Sequence, residues 1–450
     1  MSKHIVAFVP AFVVLVSTVP VVAQPTPDPA AGEPPPAETE PAPPEPAPAP
    51  EPAAPEPAPE PIAPAPAAEP TVKLEQKAES KKLPLELKPG GYVHVDQRRL
   101  LTESEAHEMT VRRLRFKLDG SATKLFKFRT LIDFAGSKVT VNDAWAEAVI
   151  LPELSIRAGK DKSQFGIERL QSATQLTFIE RAYPTQLAPN RDIGIWARGD
   201  VAGGLVHYAA GVVDGVANNA VIEGESDDVL EFNVHLLVSP LAKAKHLGDL
   251  GIGGATTFGT TKGVLANPGL TNIRSAGQAT IVKFAAGMDA DATARADGRR
   301  TRFAGHAYYF GGPVGVLAEY VRDREHVTLM GTTTLIQNAA WQVAASVAVT
   351  PGDRPTLKSI KPKQSFDPAK GTWGAVELAG RYSELRLDPD SFGAGITSET
   401  GSVERAREVT LGGNWYFNDY LKLQLDYSRT TFGDTFPTEH LVATRLQASI

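Results

Sequence analysis

RLRFKLD, residues 113–119, alternates charged and apolar side chains without a break. Successive side chains of a strand point to opposite faces, so Arg113, Arg115 and Lys117 fall on one face and Leu114, Phe116 and Leu118 on the other. FKFRTLIDF, residues 126–134, keeps that period with one slip at Leu131 and puts Lys127 and Arg129 on its polar face. The same rhythm returns in EFNVHL (231–236), WQVAASV (341–347) and LKLQLDY (421–427). Alternation of this kind marks half-buried strands, and no window from Gly90 onward offers a long amphipathic helix.

Such strands suit a secreted sandwich, where the apolar face meets a second sheet, or a transmembrane barrel, where it meets lipid and the polar face lines a wet lumen. Three features favour the barrel. Full charges recur on the polar faces. Aromatic residues gather at strand ends, as in Tyr308-Tyr309-Phe310, Trp415-Tyr416-Phe417 and Tyr420, the pattern of interfacial girdles. A secretory leader with no later apolar run of spanning length leaves a barrel as the route into a membrane. At roughly 22 residues per strand with its connection, residues 90–450 hold about 16 strands of an all-β, antiparallel barrel. Leu151-Pro152-Glu153 and Asn418-Asp419 read as short turns on one side, and residues 159–200, 351–372 and 386–404 as long loops on the other.

Residues 1–23 read as a signal peptide: Lys3 and His4, an apolar run from Ile5 to Val22, then small residues before Gln24. Residues 24–70 form a Pro/Ala/Glu-rich periplasmic linker, expected to be disordered with polyproline II character. At ~3.1 Å per residue it would reach on the order of 140 Å, far enough for a cell-wall contact through residues 25–70. Residues 71–89 are a charged connector. The location that follows is the bacterial outer membrane, with outer-membrane lipid as the surroundings.

The formal charge of −6 conceals a segregation. Residues 25–70 carry nine acids and no Lys or Arg, so residues 71–450 hold 45 bases against 43 acids, a net of +2. That is too little for a nucleic-acid footprint. The chain has no cysteine, which removes disulfides, thiolate metal sites and cysteine nucleophiles. It has no HExxH, GxSxG or Walker A motif, so neither an enzyme nor a cofactor is expected. Glu168 and Glu180 could pair as acid and base, but with six bases in the same stretch salt bridges are the plainer use.

The arrangement of cations carries the function. Arg113, Arg115 and Lys117, then Lys127 and Arg129, then Arg157 would stack on neighbouring strands about 4.8 Å apart into a basic strip. Strips of Arg and Lys are how pores favour anions such as phosphate, and the planar guanidinium fork suits phosphate oxygens. The plainer alternative is that these bases pair with Asp119, Asp133, Asp143 and Glu147 across the wall. Beyond the strip, GKDKSQFGIERLQSATQLTFIERAYPTQLAPNRDIGI (residues 159–195) opens a long loop with Lys160, Lys162, Arg169 and Arg181, and enough apolar mass to fold against a surface.

That loop resembles the GxxKxxFxxE…TFxER…RxxGI segment of the phosphate-selective porin O and P family. GTWGAVELAGRYS (371–383), LGGNWYFNDYLKLQLDY (411–427) and the terminal TRLQASI are similar to the same family, in the expected order. The resemblance implies a homotrimer of 16-stranded barrels whose loops fold inward, passing inorganic phosphate, pyrophosphate or related anions. It carries Lys162, Phe165, Glu168 and Arg181 as parts of the loop motif. The chain departs from the pattern in ending at Ile450 rather than an aromatic residue, and in its Pro-rich segment. A weakly selective diffusion porin, or a structural barrel tied to the wall through the Pro-rich arm, are the alternatives.

Overall fold

The computed structural model describes residues 85–101, 107–221, 229–398 and 400–450. The signal peptide, the Pro-rich linker and residues 71–84 of the connector lie outside the described residues. The strands are β1 (Leu85–Leu100), β2 (His107–Ala122), β3 (Phe126–Asp133), β4 (Thr140–Leu151), β5 (Leu154–Lys162), β6 (Arg191–Val201), β7 (Val206–Val213), β8 (Glu231–Val238) and β9 (Asp249–Lys262). There follow β10 (Ile273–Arg274), β11 (Thr280–Val282), β12 (Arg295–Gly311), β13 (Val314–Leu329), β14 (Thr332–Ala348), β15 (Ala375–Arg386), β16 (Arg405–Tyr416), β17 (Leu421–Thr431) and β18 (Glu439–Ser449). All but β10 and β11 close one antiparallel barrel of 16 strands; those two form a small hairpin in the loop between β9 and β12. The first strand begins at Leu85, inside the stretch read as connector.

The sheet is inside out relative to a soluble protein. Leu114, Phe116, Phe232, Phe258, Phe303, Leu411 and Leu446 are exposed on the outer surface, while Asn233, Arg302, Gln424 and Arg445 are fully buried within. A lipid solvent demands that distribution, and closure leaves no unpaired edge in the hydrocarbon. Ile450 completes the seam with β1: its N–H donates to Gly91 O at 2.9 Å and its carbonyl accepts from Gly91 N at 3.1 Å. Pro89 is tolerated in β1 because it pairs only with β2; the β18 ladder starts at Tyr92.

Connections 123–125, 152–153, 202–205, 312–313 and 417–420 lie at one end of the barrel, which the short turns mark as periplasmic. The loops 163–190, 263–294 and 387–404 leave from the other end. One expectation is corrected. Residues 349–374 join β14 to β15 at the short-turn end, so this long segment is periplasmic, not external. Loop length alone does not report side; only the count of strands before it does. The stretch expected as loop from 159 to 200 is also shorter, because β5 runs to Lys162 and β6 starts at Arg191, placing Trp196 and Arg198 on a strand.

Candidate functional site

The segment 163–190 does not extend outward. It crosses the lumen and is bonded to the opposite wall. The Ile167 N–H donates to Glu319 Oε1 at 2.7 Å, the Ile179 N–H to Asp426 Oδ2 at 2.6 Å and the Tyr183 N–H to Ser383 Oγ at 3.1 Å. In return Lys422 and Gln424 donate to Leu176 O, Asn414 to Thr177 O and Arg445 to Ile179 O. Phe165, Tyr183 and Leu187 fill the space against Ala255, Ala304, Val321 and Ala340 of the wall. Small inward side chains on β9, β12 and β14 leave the room that the loop occupies. Glu168 and Glu180 are anchors rather than an acid and base: Glu168 lies 3.5 Å from Arg381 and Glu180 2.8 Å from Arg98.

With β13–β18 covered, the open space lies between the loop and the wall of β1–β8. A cavity of about 1270 Å³ runs there, lined by thirteen Lys or Arg residues and only three acids, Asp143, Asp161 and Glu180. The near-neutral total of residues 71–450 therefore hides a strongly basic lining of this cavity.

Eight of the ten candidate cations line this cavity: Arg113, Arg115, Lys117, Arg129, Arg157, Lys162, Arg169 and Arg181. Lys127 shares the row of Arg129 but sits one step nearer the turn, opposite Glu147, and does not line the cavity. Lys160 is opposite Ala144 and Ile193, in the row that faces outward, so strand parity removes it from the lumen. Arg112, Arg191, Arg198, Arg274 and Lys283 line the cavity as well and were missing from the candidates. Arg112 enters through a β-bulge. The register shifts between His94 and Val95, so Val111 and Arg113 no longer share a face and the extra residue between them, Arg112, turns inward.

The cations fall into two electrostatic groups. On the wall, Arg115 pairs with Asp133 at 2.6 Å, Arg129 with Asp119 at 2.6 Å, Arg157 with Glu147 at 2.6 Å and Arg191 with Asp143 at 2.9 Å. These are the cross-wall pairs of the plainer reading. The Arg157 guanidinium also lies 3.6 Å from the centroid of the Trp145 ring, which fixes its plane.

The loop cations are held by neutral oxygens. Lys162 Nζ donates to Leu170 O at 3.1 Å and Gln171 O at 2.6 Å. Arg181 donates to Glu168 O at 3.2 Å and Gln171 O at 2.9 Å. Arg169 donates to Thr185 O and, at 2.7 Å, to Asn219 Oδ1, while its buried Nε has no acceptor among the described residues. An ion pair presents a short-range dipole; a guanidinium held by carbonyls keeps its whole charge in the field of the pore. Burial first, then Arg181 and Arg191, push Arg169 down to about 9. Arg181 is lowered by burial too, with Glu168 opposing. Both side chains remain charged at neutral pH. Among the described residues no cluster of His, Asp and Glu is arranged to hold a metal ion.

A closed 16-stranded barrel, apolar outside, charged inside and narrowed by an inward-folded loop, defines an outer-membrane channel. The chain belongs to the phosphate-selective porin O and P family, whose model matches residues 89–448. Its place is accordingly the bacterial outer membrane.

Solved structures of the same fold include the outer-membrane channel DcaP of Acinetobacter baumannii, at 11% identity and a TM-score of 0.53, covering 81% of this chain and 97% of that one. OmpT of Vibrio cholerae aligns at 10% identity and a TM-score of 0.52, over 81% and 98% of the two chains. An anion-selective porin from Comamonas acidovorans aligns at 10% identity and a TM-score of 0.51, over 81% and 100%. No curated protein sequence matches the chain.

Proposed function

We propose that the channel is passive and anion-selective, and that its preferred solutes are phosphate-type anions. The observation that carries the reading is the group Lys162, Arg169 and Arg181, whose positive charge is held in place by carbonyl and amide oxygens instead of carboxylates. Arg113 and Arg115 of the wall strand β2 line the same cavity. A tetrahedral oxyanion between the loop and the wall would accept charge-assisted hydrogen bonds from both sides, each worth about 1.5–3 kcal/mol. Arg113 Nη1 lies 3.5 Å from the His94 ring nitrogen, and among the described residues no carboxylate pairs with it. The functional unit is proposed to be a homotrimer, as the family resemblance implies.

The test is block of chloride current by millimolar phosphate in planar bilayers. Arg169→Ala with Arg181→Ala should weaken the block by on the order of 10- to 100-fold, which is what losing one or two such bonds removes. An unchanged block would take the loop cations out of the mechanism. The paired bases of the wall favour a second reading, a weakly selective diffusion porin; it predicts conductance that scales with bulk salt and no block at all.

A further inference from the structure

Charges on the outside of a membrane barrel need a reason, because lipid-facing Arg is strongly unfavourable near the bilayer midplane and becomes cheap only near the interfaces. β15 and β16 carry such a group. Glu384, Arg386, Arg405 and Arg407 lie in outward rows, interleaved with the lipid-facing Leu378, Val409 and Leu411. Glu384 is bonded by the Nε atoms of three arginines: Arg386, Arg405 at 3.2 Å and Arg407 at 3.6 Å. The Tyr382 hydroxyl donates to its other side at 3.0 Å. One carboxylate thus orients three guanidiniums and leaves the group with a net charge of +2. The carboxylate is covered, but the arginine side chains remain 41–56% exposed. Arg429 adds a fourth exposed cation on β17, opposite Val409.

The height of the group on the wall identifies its neighbours. Trp415, Trp373 and Phe366 form an aromatic cluster at the periplasmic rim, the level of the inner headgroups. Arg407 and Arg405 are eight and ten residues further up β16. At about 3.4 Å per residue and a tilt near 40°, that is roughly 21–26 Å, the height of the apolar band. The arginines therefore stand at the outer headgroup level, above the Trp341 and Tyr382 rings, whose centroids lie 5.1 Å apart. We propose that this face of β15–β17 binds the phosphate groups of an outer-leaflet glycolipid. Its phosphates would take the free guanidinium N–H groups while its acyl chains lie along Leu378, Val409 and Leu411.

The experiment is titration of the full-length protein in detergent with bisphosphorylated lipid A and with its dephosphorylated form, scored by native mass spectrometry. The bisphosphorylated lipid should bind about tenfold or more tightly than the dephosphorylated one, and that comparison needs no variant. Arg405→Ala with Arg407→Ala should remove most of the difference, and Arg405→Lys with Arg407→Lys should keep part of it. Equal binding of the two lipids by the wild type overturns the proposal. So does unchanged discrimination in the alanine variant. Loss of oligomers in that variant with lipid binding intact would assign the face to a contact between copies, and overturns it too.

Discussion

Asp426 on β17 accepts the backbone N–H of Ile179 at 2.6 Å, joining the inward loop to a wall strand 247 positions further along the chain. Glu319 does the same for Ile167 from β13. With these two carboxylates among its anchors on the far wall, the loop cannot drift toward the basic wall, so the width of the channel and the position of its cations are set together.

Releasing those two points should therefore change conductance and selectivity in one step. Each lost acceptor leaves a buried amide unpaired, at about 1–3 kcal/mol. Glu319→Ala with Asp426→Ala is expected to raise single-channel conductance, add current noise and reduce anion preference. Asp426→Asn, which keeps an acceptor oxygen, should stay close to wild type. Bilayer recordings of the three proteins decide it: quiet, unaltered channels in the double variant would mean that the remaining contacts, among them Ser383, Lys422, Asn414 and Arg445 with the loop backbone, hold the loop without these two carboxylates.

The wall pairs predict an asymmetry between substitutions. Asp133→Asn leaves Arg115 without its carboxylate at 2.6 Å and should strengthen phosphate block, whereas Arg115→Ala bares Asp133 and should weaken it. Opposite signs are the outcome to look for in block titrations of the two variants. Equal small effects would mean that the wall pairs do not reach the permeating ion.

An anion bound between loop and wall also ties two parts of the fold together. At a pyrophosphate concentration a hundred times its Kd, the folded state gains about 2.7 kcal/mol. Thermal unfolding in detergent should then shift upward with pyrophosphate for the wild type and much less for Arg181→Ala. A shift of the same size in the variant would place the binding elsewhere.

Much of this arrangement is legible in the sequence, and the failures have physical causes. Arg113-Leu114-Arg115-Phe116-Lys117 declares its two faces because lipid and water impose a strict period of two on a barrel strand. Arg112 was illegible because a bulge reverses that period, and no residue type announces the shift between His94 and Val95. Lys160 looked equivalent to Lys162, yet strand parity turns Lys160 outward. Lys162, at the last position of β5, instead reaches the carbonyls of Leu170 and Gln171. Arg274 and Lys283 enter the cavity from the loop between β9 and β12, a placement made by tertiary packing rather than by alternation. The periplasmic position of residues 349–374 depends on the parity of the strand count. Gln171 of the inward loop donates to Leu357 O there at 2.7 Å, a contact that length and composition could not foretell.

Anion selectivity requires a lumen that is positive where the ion passes, despite a chain whose formal charge is −6. The zero-current potential of the purified channel in a tenfold KCl gradient measures that directly. A positive passage gives a potential of the sign set by chloride, moved toward zero by Arg169→Ala with Arg181→Ala. A potential set by potassium in the wild type would contradict it.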